Sequence, residues 1–81
     1  MKVNVLAFAG LKDALGKQAV QLELASDTCV SDAIEALIIM HPQVKPIASV
    51  LCCAIDQEYA ALQDRLTEGC ELALFTPVGG G

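Results

Sequence analysis

The sequence predicts an α+β domain, a mixed sheet covered on one face by a helix, and three patterns carry that expectation. Apolar residues alternate with a period of two near the start, recur at helical spacing after Asp27, and alternate again before the final glycines. Read in order they give strand, strand, helix, strand, short strand, strand. Eighty-one residues suffice for one core of this kind and leave no room for a second, so residues 1–81 are one domain, with a flexible tail over 77–81.

Val3, Val5 and Ala7 alternate with Asn4, Leu6 and Phe8, which predicts a first strand over residues 2–9 with apolar groups on both faces. Residues 10–16 connect it onward, with a helical turn over 11–15 stopped by Gly16. Val20, Leu22 and Leu24 oppose Gln21 and Glu23, so residues 18–24 form a second strand, antiparallel to the first across a long loop. Ser26, Asp27 and Thr28 are a cluster of cap formers, and Asp32 falls in the first helical turn, where its charge favours the macrodipole. Val30, Ile34, Leu37, Ile38 and His41 share one face of a helix over 29–40. Pro42 ends it and leaves His41 beside the last carbonyls. Residues 43–49, with Pro46, are a connector or weak second turn. Residues 50–56 are short and continuously apolar, the pattern of a buried central strand. Gln57, Glu58 and Tyr59 turn into a brief strand, Thr67, Glu68 and Gly69 give the clearest turn signal, and residues 70–75 form the last strand.

Hydrophobic residues make up 54% of the chain and charged ones 19%, which excludes disorder and exceeds what so small a core needs, so part of the apolar surface is expected to face a partner. A formal charge of −5 argues against nucleic acid and anionic membranes and suits a basic protein partner. The start of the chain lacks an apolar signal region and the stretch over 36–40 is too short to span a bilayer, so the expected location is cytoplasmic. Cys29, Cys52, Cys53 and Cys70 lack C-x-x-C spacing and are expected to be reduced, small core hydrophobes, with Cys52 and Cys53 on opposite faces of their strand. No metal site is expected.

Parity along the strands sorts the sheet. Val3, Val5, Leu51, Cys53, Ile55, Leu72 and Leu74 belong to the helix side, and Phe8, Cys52, Ala54, Ala73 and Phe75 to the other. Two phenylalanines on an uncovered sheet face mark an interaction site. The chain then runs through Thr76, Pro77 and Val78 to Gly79, Gly80 and Gly81. Glycine adds no packing and loses the most entropy when ordered, so this run is a poor choice for stability. Its advantage is slenderness: residues 78–81, extended, reach about 13 Å and can carry a carboxylate down a narrow channel, from a base that Pro77 stiffens. With a single His, and without a P-loop, a G-x-S-x-G element or a metal triad, a catalytic constellation is not expected.

The strand VLAFA at 5–9, TCVSDAIEAL at 28–37, CAIDQEY at 53–59, LTEGCELALF at 66–75 and the closing TPVGGG resemble the small subunits of molybdopterin synthase, the MoaD-like sulfur carriers, over essentially the whole chain. The most specific part is the hydrophobic strand followed by Pro, Val, a small residue and a terminal diglycine. The resemblance implies a ubiquitin-like β-grasp fold. It implies that the carboxylate of Gly81 is adenylated with ATP by an E1-like adenylyltransferase, becomes a thiocarboxylate with sulfur from a separate donor, and enters the large subunit, where sulfur passes to precursor Z. Gly80 and Gly81 match the diglycine and Gly79 the variable residue before it. The same resemblance assigns Phe8, Lys12, Tyr59, Phe75, Pro77, Val78 and Gly79 to partner binding. It leaves this chain a non-catalytic subunit with no bound cofactor, ATP being used by the activating enzyme. Lys12 stands where Arg is frequent, Asp56 for Asn, Cys70 for Asp and Thr76 for the first of two prolines. These positions are expected at loops and strand ends, where the fold survives them, although Lys12 lacks the bidentate fork of arginine. A sulfur carrier for thiamine or cysteine biosynthesis, a ubiquitin-like protein modifier and a purely structural binding module remain as alternatives.

Overall fold

Strand β1 (Lys2–Phe8) buries Val3, Val5 and Ala7 on one side and presents Asn4, Leu6 and Phe8 on the other, as alternation requires. The computed structural model describes residues 1–77. At Ala9 the backbone turns to φ 52°, so the strand stops at Phe8, one residue short of the expected end. Helix α1 (Ala9–Leu15) begins there, ahead of the turn expected at 11–15, and buries Leu11 and Leu15. Gly16 closes it at φ 78°, a left-handed conformation that favours glycine, with its N–H on the Lys12 carbonyl at 2.9 Å. Strand β2 (Ala19–Glu23) then pairs antiparallel with β1, Val20 opposite Val5 and Leu22 opposite Val3.

Helix α2 (Val30–Met40) is capped differently from the expectation at Ser26, Asp27 and Thr28. Asp27 sits at φ 69° and bends the chain before the helix, leaving Cys29 in the N-cap position. The Cys29 N–H donates to the Asp32 carboxylate at 3.2 Å, and its thiol lies 3.2 Å from the same oxygen. Two further first-turn donors are satisfied from a distant loop: Val30 N–H by the Asp64 carbonyl at 3.0 Å and Ser31 N–H by the Leu62 carbonyl at 2.9 Å. Arg65 pairs with Asp27 and holds that loop against the helix start. The helix buries Val30, Ala33, Ile34 and Leu37 and ends at His41, whose N–H reaches the Leu37 carbonyl at 2.7 Å before Pro42. A 3-10 turn (Pro42–Val44) and helix α3 (Lys45–Ala48) occupy the expected connector.

Strands β3 (Cys52–Ile55), β4 (Glu58–Ala60) and β5 (Glu71–Phe75) complete one sheet of order β2-β1-β5-β3-β4. β1 and β5 run parallel and the other pairs antiparallel. The central strand is therefore β5. The segment 50–56, read as central, is corrected: Val50 is exposed outside the strand, and β3 lies between β5 and the edge strand β4. Its continuous apolar run reflects two apolar surroundings, the core on one face and aromatic neighbours on the other.

Val3, Val5, Leu22, Leu72 and Leu74 of the sheet meet Leu11, Leu15, Val30, Leu37 and Val44 in one core, so α1 and the 3-10 turn share the cover expected of a single helix. Each such side chain contributes about 1.5–3 kcal/mol by leaving water. Cys53 and Cys70 are buried there as expected. Cys29 and Cys52 are not core residues: the first caps α2, and parity turns the second to the opposite sheet face. Among the described residues no helix is long and apolar enough to cross a membrane.

Candidate functional site: an aromatic sheet face at the root of the C-terminal arm

The face turned away from α2 carries two apolar cross-strand rows beside a polar one of Gln21, Asn4 and Glu71. Ala19, Leu6, Ala73, Ala54 and Tyr59 stand side by side from β2 to β4, and Phe8, Phe75 and Cys52 form the row beside them. Neighbours in such rows touch across the ladder, which makes the row one continuous surface. Small residues in the middle of the first row give a low floor between Leu6 and Tyr59. Phe75 is half-buried in the second row, with Phe8, 49% exposed, on one side. Tyr59 is 89% exposed, and its ring lies 6.3 Å from that of Phe75, tilted by 58°, within the range of favourable edge-to-face pairs. Phe8, Tyr59 and Phe75 thus share one face.

Lys12 lies within α1, not in a loop, and is exposed. Together with Leu6, Ala7, Phe8, Gln18 and Ala19 it lines a cleft of about 370 Å³ at the β1–β2 side of the face. An ammonium at the rim of an apolar cleft suits a partner segment carrying an apolar side chain next to a carboxylate. The other substituted positions are equally explicit. Asp56 occupies the β3–β4 turn, Cys70 is buried just before β5, and Thr76 follows β5 with its hydroxyl 3.2 Å from the Gly10 N–H.

Pro77 is exposed immediately beyond β5. The remaining expected site residues, Val78, Gly79, Gly80 and Gly81, lie outside the described residues, as does most of the tail expected over 77–81. What sequence reasoning missed on this face is Leu6 and Ala19, and at its edge Thr76. The alternation of β1 that identified Phe8 also carries Leu6. No local pattern marks Thr76, whose contact spans 66 residues.

The part of the face around Phe8 and Phe75 is made of rings, aliphatic groups and one thiol, with the polar row of Gln21, Asn4 and Glu71 at its far side. The titratable group near it with a displaced proton affinity is Cys53, on the core side of β3. Burial pushes its thiol pKa up, and the charges of Asp64 and Cys52 add to the effect.

Known proteins share this plan. The chain is 30% identical over 83 residues to the molybdopterin synthase sulfur carrier subunit of Chlamydomonas reinhardtii, covering 100% of both chains. It is 33% identical to small archaeal modifier protein 1 of Haloferax volcanii, over 91% of this chain and 94% of that one. The crystal structure of SAMP1 from Haloferax volcanii superposes with a TM-score of 0.90 at 30% identity and 100% coverage of both chains. The fold is accordingly the ubiquitin-like β-grasp. The model of the ThiS family matches residues 5–81, from the middle of β1 through the glycines, and the chain belongs to that family.

Proposed function

We propose that this chain is the sulfur carrier subunit of a molybdopterin synthase and that the carboxyl group of Gly81 is its cargo-bearing end. The observation that carries this reading is the placement of Phe8, Tyr59 and Phe75 on one open face, at the end of β5 from which the chain departs toward the glycines. Docking of the face and delivery of the arm are then a single event. A full-length relative bearing that name supports the same reading.

The chemistry explains why a carrier is needed. A carboxylate repels sulfur nucleophiles and lacks a leaving group. In this proposal an E1-like adenylyltransferase joins the Gly81 carboxylate to the α-phosphorus of ATP and releases pyrophosphate. A sulfide-level nucleophile from a sulfur donor adds at the acyl carbon and displaces AMP, leaving a thiocarboxylate. Inside the large subunit the thiocarboxylate sulfur attacks a carbon of precursor Z, displaces an oxygen substituent from it and so joins the two as a thioester. Water attacking the acyl carbon breaks the C–S bond and restores the Gly81 carboxylate. Gly79 and Gly80 keep the arm thin, and Pro77 and Val78 connect it to the body. The carrier supplies no acid, base or cofactor; its contribution is effective concentration, set by the docked face and the length of the arm. It does this work in the cytoplasm, with ATP bound by the activating enzyme.

Intact-mass measurement tests the proposal: incubation with ATP, an activating enzyme and a sulfur source adds the mass of one oxygen-to-sulfur exchange, and a chain lacking both Gly80 and Gly81, which no longer ends in a diglycine, shows no gain. Sulfur transfer to precursor Z at normal speed by the chain lacking Gly80 and Gly81 would overturn it. One further reading has a specific observation behind it, the 33% identity to small archaeal modifier protein 1. A modifier is joined through Gly81 to lysines of other proteins, and since Arg65 is the last tryptic site of this chain the branch left after digestion is residues 66–81; peptide mass spectrometry of cells making this chain separates the two.

A further inference from the structure

Helix α1 starts without a cap of its own. Its N-cap position is Phe8, whose ring offers no acceptor, so the first-turn donors look elsewhere. Gly10 N–H finds the Thr76 hydroxyl at 3.2 Å. The two residues are also sterically matched. A Cβ on residue 10 would stand 3.1 Å from Thr76 Cγ2 and 3.2 Å from Thr76 Oγ1, so a larger residue there displaces the threonine. The β1–β5 ladder has its last pair at Phe8 and Phe75. The bond from Thr76 to Gly10 is therefore the last hydrogen bond by which the described residues tie the chain to the domain before Pro77.

We propose that Thr76 is a positioning residue for the C-terminal arm: its hydroxyl, held by the Gly10 N–H, fixes the direction in which the chain leaves β5 and so raises the fraction of docked molecules whose end reaches the partner's pocket. This rests on the reading of Gly81 as the reactive end. Proline restrains a chain through its ring. Thr76 does so through a hydrogen bond to a separate element, a restraint that a single atom can remove. Thr76 does not touch the reacting atoms. Its effect is on the population of arm directions, which enters the rate as effective concentration.

The test uses the chain in four forms, wild type, Thr76→Val, Thr76→Ser and a deletion of Gly80 and Gly81, each with ATP, the activating enzyme, a sulfur source, the molybdopterin synthase large subunit and precursor Z. Amide hydrogen exchange at Gly10, affinity for the large subunit, and the rate of sulfur transfer at saturating large subunit are measured on each. Thr76→Val keeps the shape and removes the hydroxyl. It is expected to speed exchange at Gly10, leave affinity unchanged, and slow saturated transfer about three- to ten-fold, the loss of one ordinary hydrogen bond. Thr76→Ser is expected to restore both exchange and rate, which a general loss of stability would not do. Faster exchange at Gly10 with an unchanged saturated rate would show that the hydroxyl serves only helix α1, and the proposal fails. Normal transfer by the chain lacking Gly80 and Gly81 would instead overturn the functional reading itself, and the positioning role with it.

Discussion

Asp56 and Glu71 close on each other twice. The Asp56 N–H donates to the Glu71 carbonyl at 2.8 Å, and the Asp56 carboxylate accepts the Glu71 N–H at 2.9 Å. The contact extends the β3–β5 ladder by one residue past the Ile55–Leu72 pair and fastens the β3–β4 turn to the central strand. Asp56 reaches it from φ 48°, a conformation that Asp and Asn adopt more readily than most residues.

Replacing Asp56 therefore separates the acceptor from the backbone preference. Asp56→Ala loses both and is expected to destabilise the domain by about 1–2 kcal/mol, whereas Asp56→Asn keeps an acceptor oxygen and the left-handed tolerance and stays within about 0.5 kcal/mol. Urea denaturation of the two variants checks this. Equal midpoints would show that the side-chain bond contributes nothing.

The next residue offers a gain. Gln57 has φ 72°, and with Asp56 it forms a two-residue hairpin loop between Ile55 and Glu58 in which both residues are left-handed, the type I′ pattern that favours glycine second. Gln57→Gly is expected to raise stability by about 0.5–1 kcal/mol, since the strain relieved exceeds the added freedom of the unfolded chain. A midpoint that falls on this change would contradict the turn geometry.

The open face predicts a split between folding and binding. Phe8 is about half exposed and lines the cleft with Lys12, so Phe8→Ala is expected to lower monomer stability by less than about 1 kcal/mol. In the proposed complex the same change weakens large-subunit affinity by about 2 kcal/mol or more, the usual loss at an aromatic hot spot. Phe75→Ala, from the middle of the second row, is expected to affect both quantities. Calorimetric binding beside thermal melts measures the split, and a large stability loss with unchanged affinity for Phe8→Ala would move that ring out of the interface.

Strand alternation makes the two faces legible in the sequence. Period-two patterns separate Val3 and Val5 from Phe8, and Leu72 and Leu74 from Phe75, and each pair falls as parity requires. Features set by distant parts of the chain were not legible. The order of strands places β5 in the middle through pairing with β1, across more than sixty residues, and no local run announces it. The N-cap of α2 is Cys29 and not the Ser26–Thr28 cluster: the local Cys29–Asp32 pair is joined by the carbonyls of Leu62 and Asp64, which take first-turn donors from across the chain. Thr76 follows the same rule. Propensity describes a segment alone, whereas first-turn donors of both helices are met in part by another segment.

Vicinal Cys52 and Cys53 give the clearest chemical contrast on the two sides of β3. Cys53 is buried and its thiol lies 3.1 Å from the Ala60 carbonyl, whereas Cys52 stands half-buried beside Phe75 on the open face. Burial first, then the charges of Asp64 and Cys52, push the Cys53 pKa up, which disfavours its thiolate in the folded state. A raised folded value means that the folded chain holds this proton more tightly than the unfolded one. The resulting stability is complete below the unfolded thiol value of about 8.5 and is lost as pH rises through the folded value. Two outcomes follow. At pH 8 a maleimide labels Cys52 well before Cys53, since the thiolate is the reactive species. Above pH 8.5 the wild-type domain loses stability more steeply than Cys53→Ala, whose cavity lowers stability at every pH but removes the titration. Equal labelling of the two thiols, or parallel alkaline slopes, would show that the Cys53 side of β3 is open to water.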